Sequence, residues 1–300
     1  MSEETNVYVS SRGLMKICDF YSSTPYSSIQ QLIHFPSVET LKRVKNPVIY
    51  ICSSALPHFI NTLLNKITFQ FILVSGDCDE TVPFDIFKSH TDYESFIQDN
   101  RIVHWFVQNY TLSHPKITNL PIGMDYHTMT VNPMWGAITS CNDQEYLLQQ
   151  LVAKSKPFWE RIIKCYSNFH FSVNTRHAYD RIDAIDNLKE TVVDYEVNKV
   201  GRLQTWNTQC KYAFVISPHG GGYDCHRTWE ALLLGCIPIV KKSNIDCLYI
   251  DLPVLIVNQW TDVTETILKE TIELFKTKIF RYEKLRLDYW KQLIFSYQIV

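Results

Sequence analysis

A glycine-rich turn that leads into a helix is the part of this sequence best suited to chemistry. Residues 217–222 read Ser-Pro-His-Gly-Gly-Gly, and Arg227 and Glu230 follow in a stretch rich in alanine and leucine. Glycines let a ligand approach the backbone, and the unpaired N–H groups at a helix N-terminus attract an anion. An arginine in the first helical turn adds a planar set of donors that suits a diphosphate. The segment therefore predicts a phosphate-binding site.

The residues around the turn predict the elements that position it. The apolar run 212–216 predicts a buried strand before the turn. Asp224 is expected to be the N-cap of the helix, and Gly235 is expected to end it in a left-handed conformation. Because many α/β proteins carry such a turn merely to change chain direction, the turn alone identifies no function.

Three better-known motifs do not fit the turn. Residues 219–222, His-Gly-Gly-Gly, match the oxyanion-hole sequence of lipase-like esterases, but no Gly-x-Ser-x-Gly nucleophile motif follows. The turn also lacks the Gly-x-Gly-x-x-Gly pattern of dinucleotide-binding proteins and the Gly-Lys-Ser/Thr of P-loop proteins. An esterase, a dinucleotide oxidoreductase and a nucleotide triphosphatase are therefore not supported.

The whole segment 217–238 resembles the donor-binding signature of exostosin-like glycosyltransferases of GT-B architecture, in particular their small viral and protist members. Further matches are Trp-Phe-Val-Gln-Asn at 105–109, His-Pro-Lys at 114–116, Leu-Pro-Ile-Gly-Met-Asp at 120–125 and Asn-Phe-His at 168–170. The resemblance implies an inverting enzyme that uses a UDP-sugar, with UDP-xylose as the first choice. It also implies a glycan acceptor and a donor site in the C-terminal half.

The resemblance implies roles for individual residues. Arg227 would contact the diphosphate and Glu230 the ribose hydroxyls, although the two are also spaced as an ordinary i,i+3 surface ion pair. Arg176 is expected just past the first strand of the second half, as a second cation, whereas Arg181 is expected on the surface. The other donor-binding candidates lie in the turn and at the start of the helix: Ser217, His219, Gly220, Gly221, Gly222, Asp224 and Thr228.

Inverting sugar transfer also needs a base that takes the proton of the acceptor hydroxyl. Asp77 directly follows the apolar run 71–76, and ligands of parallel sheets bind at the carboxyl ends of strands. We therefore predict that Asp77 is the base, with Asp19 and Asp125 as alternatives. A solvated acidic turn without a chemical role is the simpler interpretation of residues 77–80.

Two alternative functions remain open. Asp77-Cys78-Asp79 is an Asp-x-Asp sequence after an apolar strand, as in metal-dependent glycosyltransferases of GT-A architecture. In a GT-B enzyme cationic side chains can neutralise the leaving diphosphate, so we expect neither a metal nor another cofactor. The chain could also be an inactive carbohydrate- or nucleotide-binding module that has kept the fold.

Composition restricts the partners and the location. The net charge of −2 comes from 29 basic and 31 acidic residues spread along the chain, so we expect no nucleic-acid partner. No long apolar stretch occurs, so neither a membrane span nor a signal peptide is expected. Nine scattered cysteines predict reduced thiols and a cytoplasmic protein, in the host cytoplasm if the chain is viral.

Apolar runs alternate with helical patterns in two blocks, which predicts an α/β protein. Residues 126–141 predict a linker between the blocks, and the chain from residue 262 onward predicts two amphipathic helices. The predicted strands are 48–52, 69–74, 102–107 and 117–122 in the first block, and 169–173, 191–195, 212–216, 237–240 and 254–257 in the second.

Together, the pattern and the resemblance predict a GT-B fold, with two Rossmann-like, doubly wound domains facing each other across a cleft. The acceptor domain is predicted at 1–140 and the donor domain at 141–280. The C-terminal helix, 280–300, is expected to pack back on the acceptor domain.

Overall fold

The computed structural model describes residues 3–298, which form an α/β protein with two parallel sheets. The strands are β1 (Val48–Cys52), β2 (Phe71–Gly76), β3 (Ile102–Val107), β4 (Ile117–Asn119), β5 (Ile162–Ser167), β6 (Val193–Tyr195), β7 (Tyr212–Ile216), β8 (Ile237–Lys241) and β9 (Leu255–Val257). The helices are α1 (Ser11–Lys16), α2 (Val38–Leu41), α3 (Leu56–Thr62), α4 (His90–Ile97), α5 (Tyr126–Val131), α6 (Cys141–Lys154), α7 (Ala178–Asn187), α8 (Arg202–Gln209), α9 (His226–Leu233), α10 (Glu265–Lys276) and α11 (Leu287–Ser296). Within residues 3–298, no helix combines the length and the apolar character that crossing a membrane requires.

The two sheets differ in strand order. In the first sheet the strands follow one another as β1-β2-β3-β4, so each new strand is added on the same side. In the second sheet the order is β6-β5-β7-β8-β9, so the chain places β6 on one side of β5 and β7 on the other. A crevice forms where the direction reverses, at the carboxyl ends of β5 and β7. Such a topological switch point is the usual binding position of a parallel α/β sheet.

The two sheets share part of one apolar core. Strands β1 and β2 are buried along their whole length, as expected when both faces of a parallel sheet are covered. One apolar cluster contains Val74 and Phe106 of the first sheet together with Val215 of the second sheet and Trp229 of α9. Two further clusters cover the opposite faces of the sheets. The halves of the chain are therefore packed against each other.

The C-terminal helix returns to the first half of the chain. The backbone N–H of Leu287 donates to the carbonyl of Val7 at 2.9 Å, and Nε2 of Gln298 donates to the carboxylate of Asp19 at 2.9 Å. These bonds attach both ends of α11 to the segment that precedes β1. The outermost residues of the predicted domain ranges (1, 2, 299 and 300) lie outside the described residues.

Most strands lie where the sequence predicts them, but two segments differ. Strands β1, β3 and β7 have the predicted bounds. The strand predicted at 169–173 is wrong, because Phe169–Phe171 form a 3-10 turn and the strand is the earlier β5. The start of β5 is exposed and Lys164 interrupts its apolar run, so the sequence signal was weak. The linker predicted at 126–141 does lie between the last strand of the first sheet and the first strand of the second, but it contains the short helix α5.

Candidate functional site

The carboxyl ends of strands from both sheets meet at the glycine-rich turn. A Cβ atom on Gly221 would collide with the carboxylate of Asp79, which follows β2. A Cβ atom on Gly222 would lie 2.7 Å from Nδ2 of Asn109, which follows β3. Gly220, Gly221 and Gly222 all have ordinary φ angles, so these positions need glycine for close approach rather than for backbone freedom. The turn after β7 therefore lies against the ends of β2 and β3.

A cavity of about 400 Å³ opens at the switch point of the second sheet. Its wall includes Asn168 and Phe169, which follow β5, and Gly221 and Gly222, which follow β7. This is the position at which a sheet of this strand order binds its ligands. The charged residues of the wall are Asp79, Asp125, Asp224, Glu230, Arg181, Lys199, Arg202 and Arg227.

Two arginines of this wall make no ion pair with any residue that the structure describes. Arg227 lies in the first turn of α9, and its buried Nη1 has no hydrogen-bond partner within residues 3–298. Arg181 of α7 donates only to backbone carbonyls, those of His219 at 3.1 Å and of Ser172. Burial, and then the charge of Arg181, lower the pKa of Arg227 to about 10, so Arg227 stays charged at neutral pH. A guanidinium group without an ion pair and with an unsatisfied N–H in a partly buried cavity favours an anionic ligand.

Arg176 is the predicted second cation beside Arg227, but Arg181 lines the cavity and Arg176 does not. The expectation that Arg181 lies on the surface is wrong, because only 6% of it is exposed and its Nη2 lies 2.4 Å from the position that a Cβ atom on Gly220 would take. Arg176 does not line the cavity, and its Nη1 lies 2.8 Å from the carboxylate of Asp85. The reason is that β5 ends at Ser167, earlier than predicted, so that Arg176 lies well beyond the switch point.

A buried ionic network forms another part of the wall. Nη2 of Arg202 donates to the carboxylate of Asp125 at 3.0 Å, and Nε of Arg202 lies 3.4 Å from Oε1 of Glu230. Glu230 is therefore paired with Arg202 and does not form the surface ion pair with Arg227. Arg202 is a site residue that sequence analysis missed, because α8 is mostly polar and gave no helical pattern.

Four predicted donor-binding residues hold the turn in place and do not line the cavity. The hydroxyls of Ser217 and Thr228 lie 2.8 Å apart and join the turn to α9. The backbone N–H of His219 donates to the carboxylate of Asp180 at 2.9 Å, and that of Gly220 donates to the carbonyl of Gly222 at 3.0 Å. The predicted donor-binding residues that do line the cavity are Gly221, Gly222, Asp224, Arg227 and Glu230.

Asp224 joins the two halves instead of capping α9. The predicted N-cap is wrong, because α9 begins at His226 after Cys225, which makes no side-chain cap bond. The Asp224 carboxylate accepts from the indole N–H of Trp229 at 2.8 Å and from the backbone N–H of Ile122 at 2.7 Å. Burial raises the pKa of Asp224 to about 6. The predicted left-handed residue at the end of the helix is confirmed, since Gly235 has φ +73°.

Asp77 lies next to the cleft, but its carboxylate already has partners. One oxygen accepts from the hydroxyl of Ser27 at 2.8 Å, and the other lies 3.5 Å from Nε of Arg12. Burial raises the pKa of Asp77, and the charges of Arg12 and His226 partly offset this effect. Its φ of +56° is a strained conformation of the kind that is often found at functional sites. Asp77 does not line the cavity itself.

The two alternative bases have structural roles. Asp125 is the N-cap of α5 and accepts from the backbone N–H of Thr128 at 3.0 Å. Burial raises its pKa, but nearby positive charge, including that of Arg202, lowers it below its usual range, which makes Asp125 a weak proton acceptor. Asp19 accepts from the backbone N–H of Val48 at 2.9 Å and does not line the cavity.

His226 is a cavity residue to which the sequence gave no catalytic role. Its Nδ1 lies 2.7 Å from the carbonyl of Gly123, so Nδ1 carries a proton and a neutral ring has its lone pair on Nε2. The charge of His226 lowers the pKa of four carboxyl groups around it: Asp77, Asp79, Asp125 and Asp224.

Within residues 3–298, no group of three or more His, Cys, Asp and Glu side chains is arranged to hold a metal ion. Asp77 and Asp79 have separate surroundings, since Asp77 bonds to Ser27 while Asp79 lies against Gly221. Compared with known proteins, the chain matches no protein-family model, and no curated protein matches its sequence. Function must therefore be inferred from the chemistry of the cavity.

Proposed function

We propose that this chain is an inverting, metal-independent glycosyltransferase of GT-B architecture. It transfers a sugar from a UDP-sugar to a hydroxyl of a glycan, and xylose is the first donor sugar to test. The observation that carries this proposal is the buried Nη1 of Arg227, which has no hydrogen-bond partner among the described residues, in a cavity at a topological switch point that Arg181 also lines.

A nucleoside diphosphate supplies a hydrogen-bond partner for the free Nη1 of Arg227. Its two phosphates accept hydrogen bonds from Arg227 and Arg181, whose planar guanidinium groups suit phosphate oxygens. Glu230 accepts hydrogen bonds from the ribose hydroxyls and is positioned by Arg202. The aromatic residues of the wall offer apolar surface for the base: Trp135, Phe169 and Phe171.

Sugar transfer requires the cavity to stabilise the leaving diphosphate and to accept the proton of the acceptor hydroxyl. As the acceptor oxygen attacks the anomeric carbon, the bond to the diphosphate breaks and UDP leaves with the bonding electron pair. Arg227 and Arg181 stabilise the negative charge that develops on the leaving phosphate. We assign the acceptor proton to Nε2 of His226, because His226 lines the cavity and Asp77 does not. The carboxylate of Asp77, which interacts electrostatically with His226, then stabilises the protonated ring.

A panel of UDP-sugars tests this function. We expect transfer or slow donor hydrolysis with at least one of them, measured as UDP release, and we expect the rate to persist in excess EDTA because arginines replace the ion. Loss of activity in EDTA and its recovery with manganese would instead support a metal-dependent enzyme that uses Asp77 and Asp79.

A nucleotide-binding module without transferase activity is the second candidate. It is favoured by one specific observation, namely that Asp77, Asp19 and Asp125 all accept hydrogen bonds from groups of the protein itself. UDP binding without UDP release from any sugar donor would identify this module.

A further inference from the structure

A second cavity of about 400 Å³ lies between the two halves of the chain. It adjoins the first one along the cleft, because Asp79 and Gly222 line the first cavity while Thr81 and Tyr223 line the second. The glycine-rich turn and the segment after β2 thus form the partition between the two cavities. A ligand in the second cavity would therefore lie next to a ligand in the first, separated from it by the glycine-rich turn.

The wall of this second cavity has the composition of a carbohydrate site. The side chains of Phe84 and Tyr179 are 65% and 59% exposed, and such large exposed aromatic residues in a cavity indicate binding rather than packing. Aromatic ring faces suit the C–H face of a pyranose. The planar polar groups of Asp85, Arg176 and Asn244 suit pairs of neighbouring hydroxyls.

His177 adds a buried polar atom without a partner. The residue is only 8% exposed, and its Nε2 makes no hydrogen bond to any residue from 3 to 298. Its Nδ1 lies 3.2 Å from the hydroxyl of Tyr179, so the ring is oriented from one side and unsatisfied on the other. Burial, followed by the charges of His219 and Arg176, lowers the pKa of His177, which keeps the ring neutral. A neutral imidazole nitrogen of this kind matches a sugar hydroxyl, which both donates and accepts.

We propose that the second cavity binds a neutral sugar residue of the acceptor glycan, with Phe84 and Tyr179 as stacking surfaces and His177 as a hydroxyl partner. This inference rests on the proposed function, because it assigns the acceptor of that reaction. A neutral ligand is favoured over an anion, since Arg176 and Asp85 pair at 2.8 Å and neutralise each other. The assignment also gives Arg176 a role different from the one the sequence suggested.

Binding to an array of neutral oligosaccharides tests this site, with UDP affinity measured in parallel by calorimetry. We expect the wild-type chain to bind at least one glycan, and we expect Phe84→Ala and Tyr179→Ala each to weaken that binding about 10-fold with UDP affinity unchanged. Tyr146→Ala is the matched control, because Tyr146 is an exposed aromatic residue on α6, outside both cavities. Unchanged UDP affinity also shows that each variant is folded.

The possible results separate this inference from the proposed function. Glycan binding that is lost in Phe84→Ala, without any UDP binding by the wild type, would support the sugar site and reject the transferase. UDP binding with no glycan bound, or with glycan binding that both variants retain, would overturn the sugar site and leave the donor site intact.

Discussion

The arginines proposed for the reaction come from the second half of the chain and the candidate carboxylates from the first, and the two groups differ in how they are bonded within the protein. In the second half, Arg227 and Arg181 reach the cavity without an ion pair to any described residue. In the first half, Asp77, Asp19 and Asp125 already accept hydrogen bonds from the protein. A buried N–H of a charged group without a hydrogen-bond partner, such as Nη1 of Arg227, indicates a ligand, whereas a carboxylate bonded within the protein does not. The structure therefore defines the leaving-group side of the proposed reaction more closely than the acceptor side.

Strand order explains this difference. The second sheet reverses direction between β5 and β7, and the loops that leave these strands diverge around the cavity. The first sheet runs in chain order and has no such reversal among its described strands. Its strand ends instead close one side of the cavity, through Asp79 against Gly221.

The largest loss of activity is expected when the proposed general base, His226, is replaced. Asparagine at position 226 can keep a hydrogen bond to the Gly123 carbonyl, but it cannot accept a proton. We expect His226→Asn to lower kcat by about 10²–10⁴-fold with little change in UDP affinity. Steady-state kinetics and calorimetry on the same variant measure the two quantities.

Asp77→Asn is the companion variant, because it tests whether the first half supplies the base directly. If Asp77 only stabilises the protonated ring of His226, the loss in kcat should be smaller, about 10-fold. A loss in Asp77→Asn that equals or exceeds the loss in His226→Asn would assign the proton to Asp77, as the sequence predicts.

Removal of one cavity arginine should slow the reaction by about 10²–10³-fold, the usual cost of losing a fixed donor at a developing charge. We expect this loss in Arg227→Ala and in Arg181→Ala, and only partial recovery in Arg227→Lys, since an ammonium group cannot reproduce a planar pair of donors. Arg176→Ala is the control for UDP affinity, because Arg176 lies in the second cavity. Wild-type rates in both cavity variants would show that the diphosphate binds elsewhere.

The smallest effect concerns the pH dependence of stability. Burial raises the pKa of Asp224 from 3.8 to about 6, so the native state holds this proton over a pH range in which the unfolded chain has lost it. The resulting stabilisation is complete below the unfolded pKa and disappears as the pH rises through the folded pKa. The free energy of unfolding of the wild type, relative to Asp224→Asn, should fall by roughly 3 kcal/mol from about pH 3.5 to about pH 7. Urea denaturation at each pH measures the difference, and a constant difference would show that Asp224 is ionised throughout.

The sequence predicted the part of the site that is local in the chain. The strand β7, the glycine-rich turn and Arg227 follow one another within 16 residues, so their spacing alone describes the local structure. Arg181 and Arg202 reach the same cavity from two other helices, and nothing in their neighbourhood distinguishes them from surface arginines. The sequence also could not show that the candidate carboxylates accept hydrogen bonds from the protein, because a side chain placed after a strand can bond to the protein as well as to a ligand.

Calorimetric titration of UDP into the wild-type chain and into Arg227→Ala, both in EDTA, tests the central claim most directly. We expect that the wild type binds UDP without a metal, that Arg227→Ala binds it at least about 10-fold more weakly, and that Arg176→Ala binds it like the wild type. If the wild type does not bind UDP, or if Arg227→Ala binds it with unchanged affinity, the cavity at the switch point is not the site of a nucleotide-sugar.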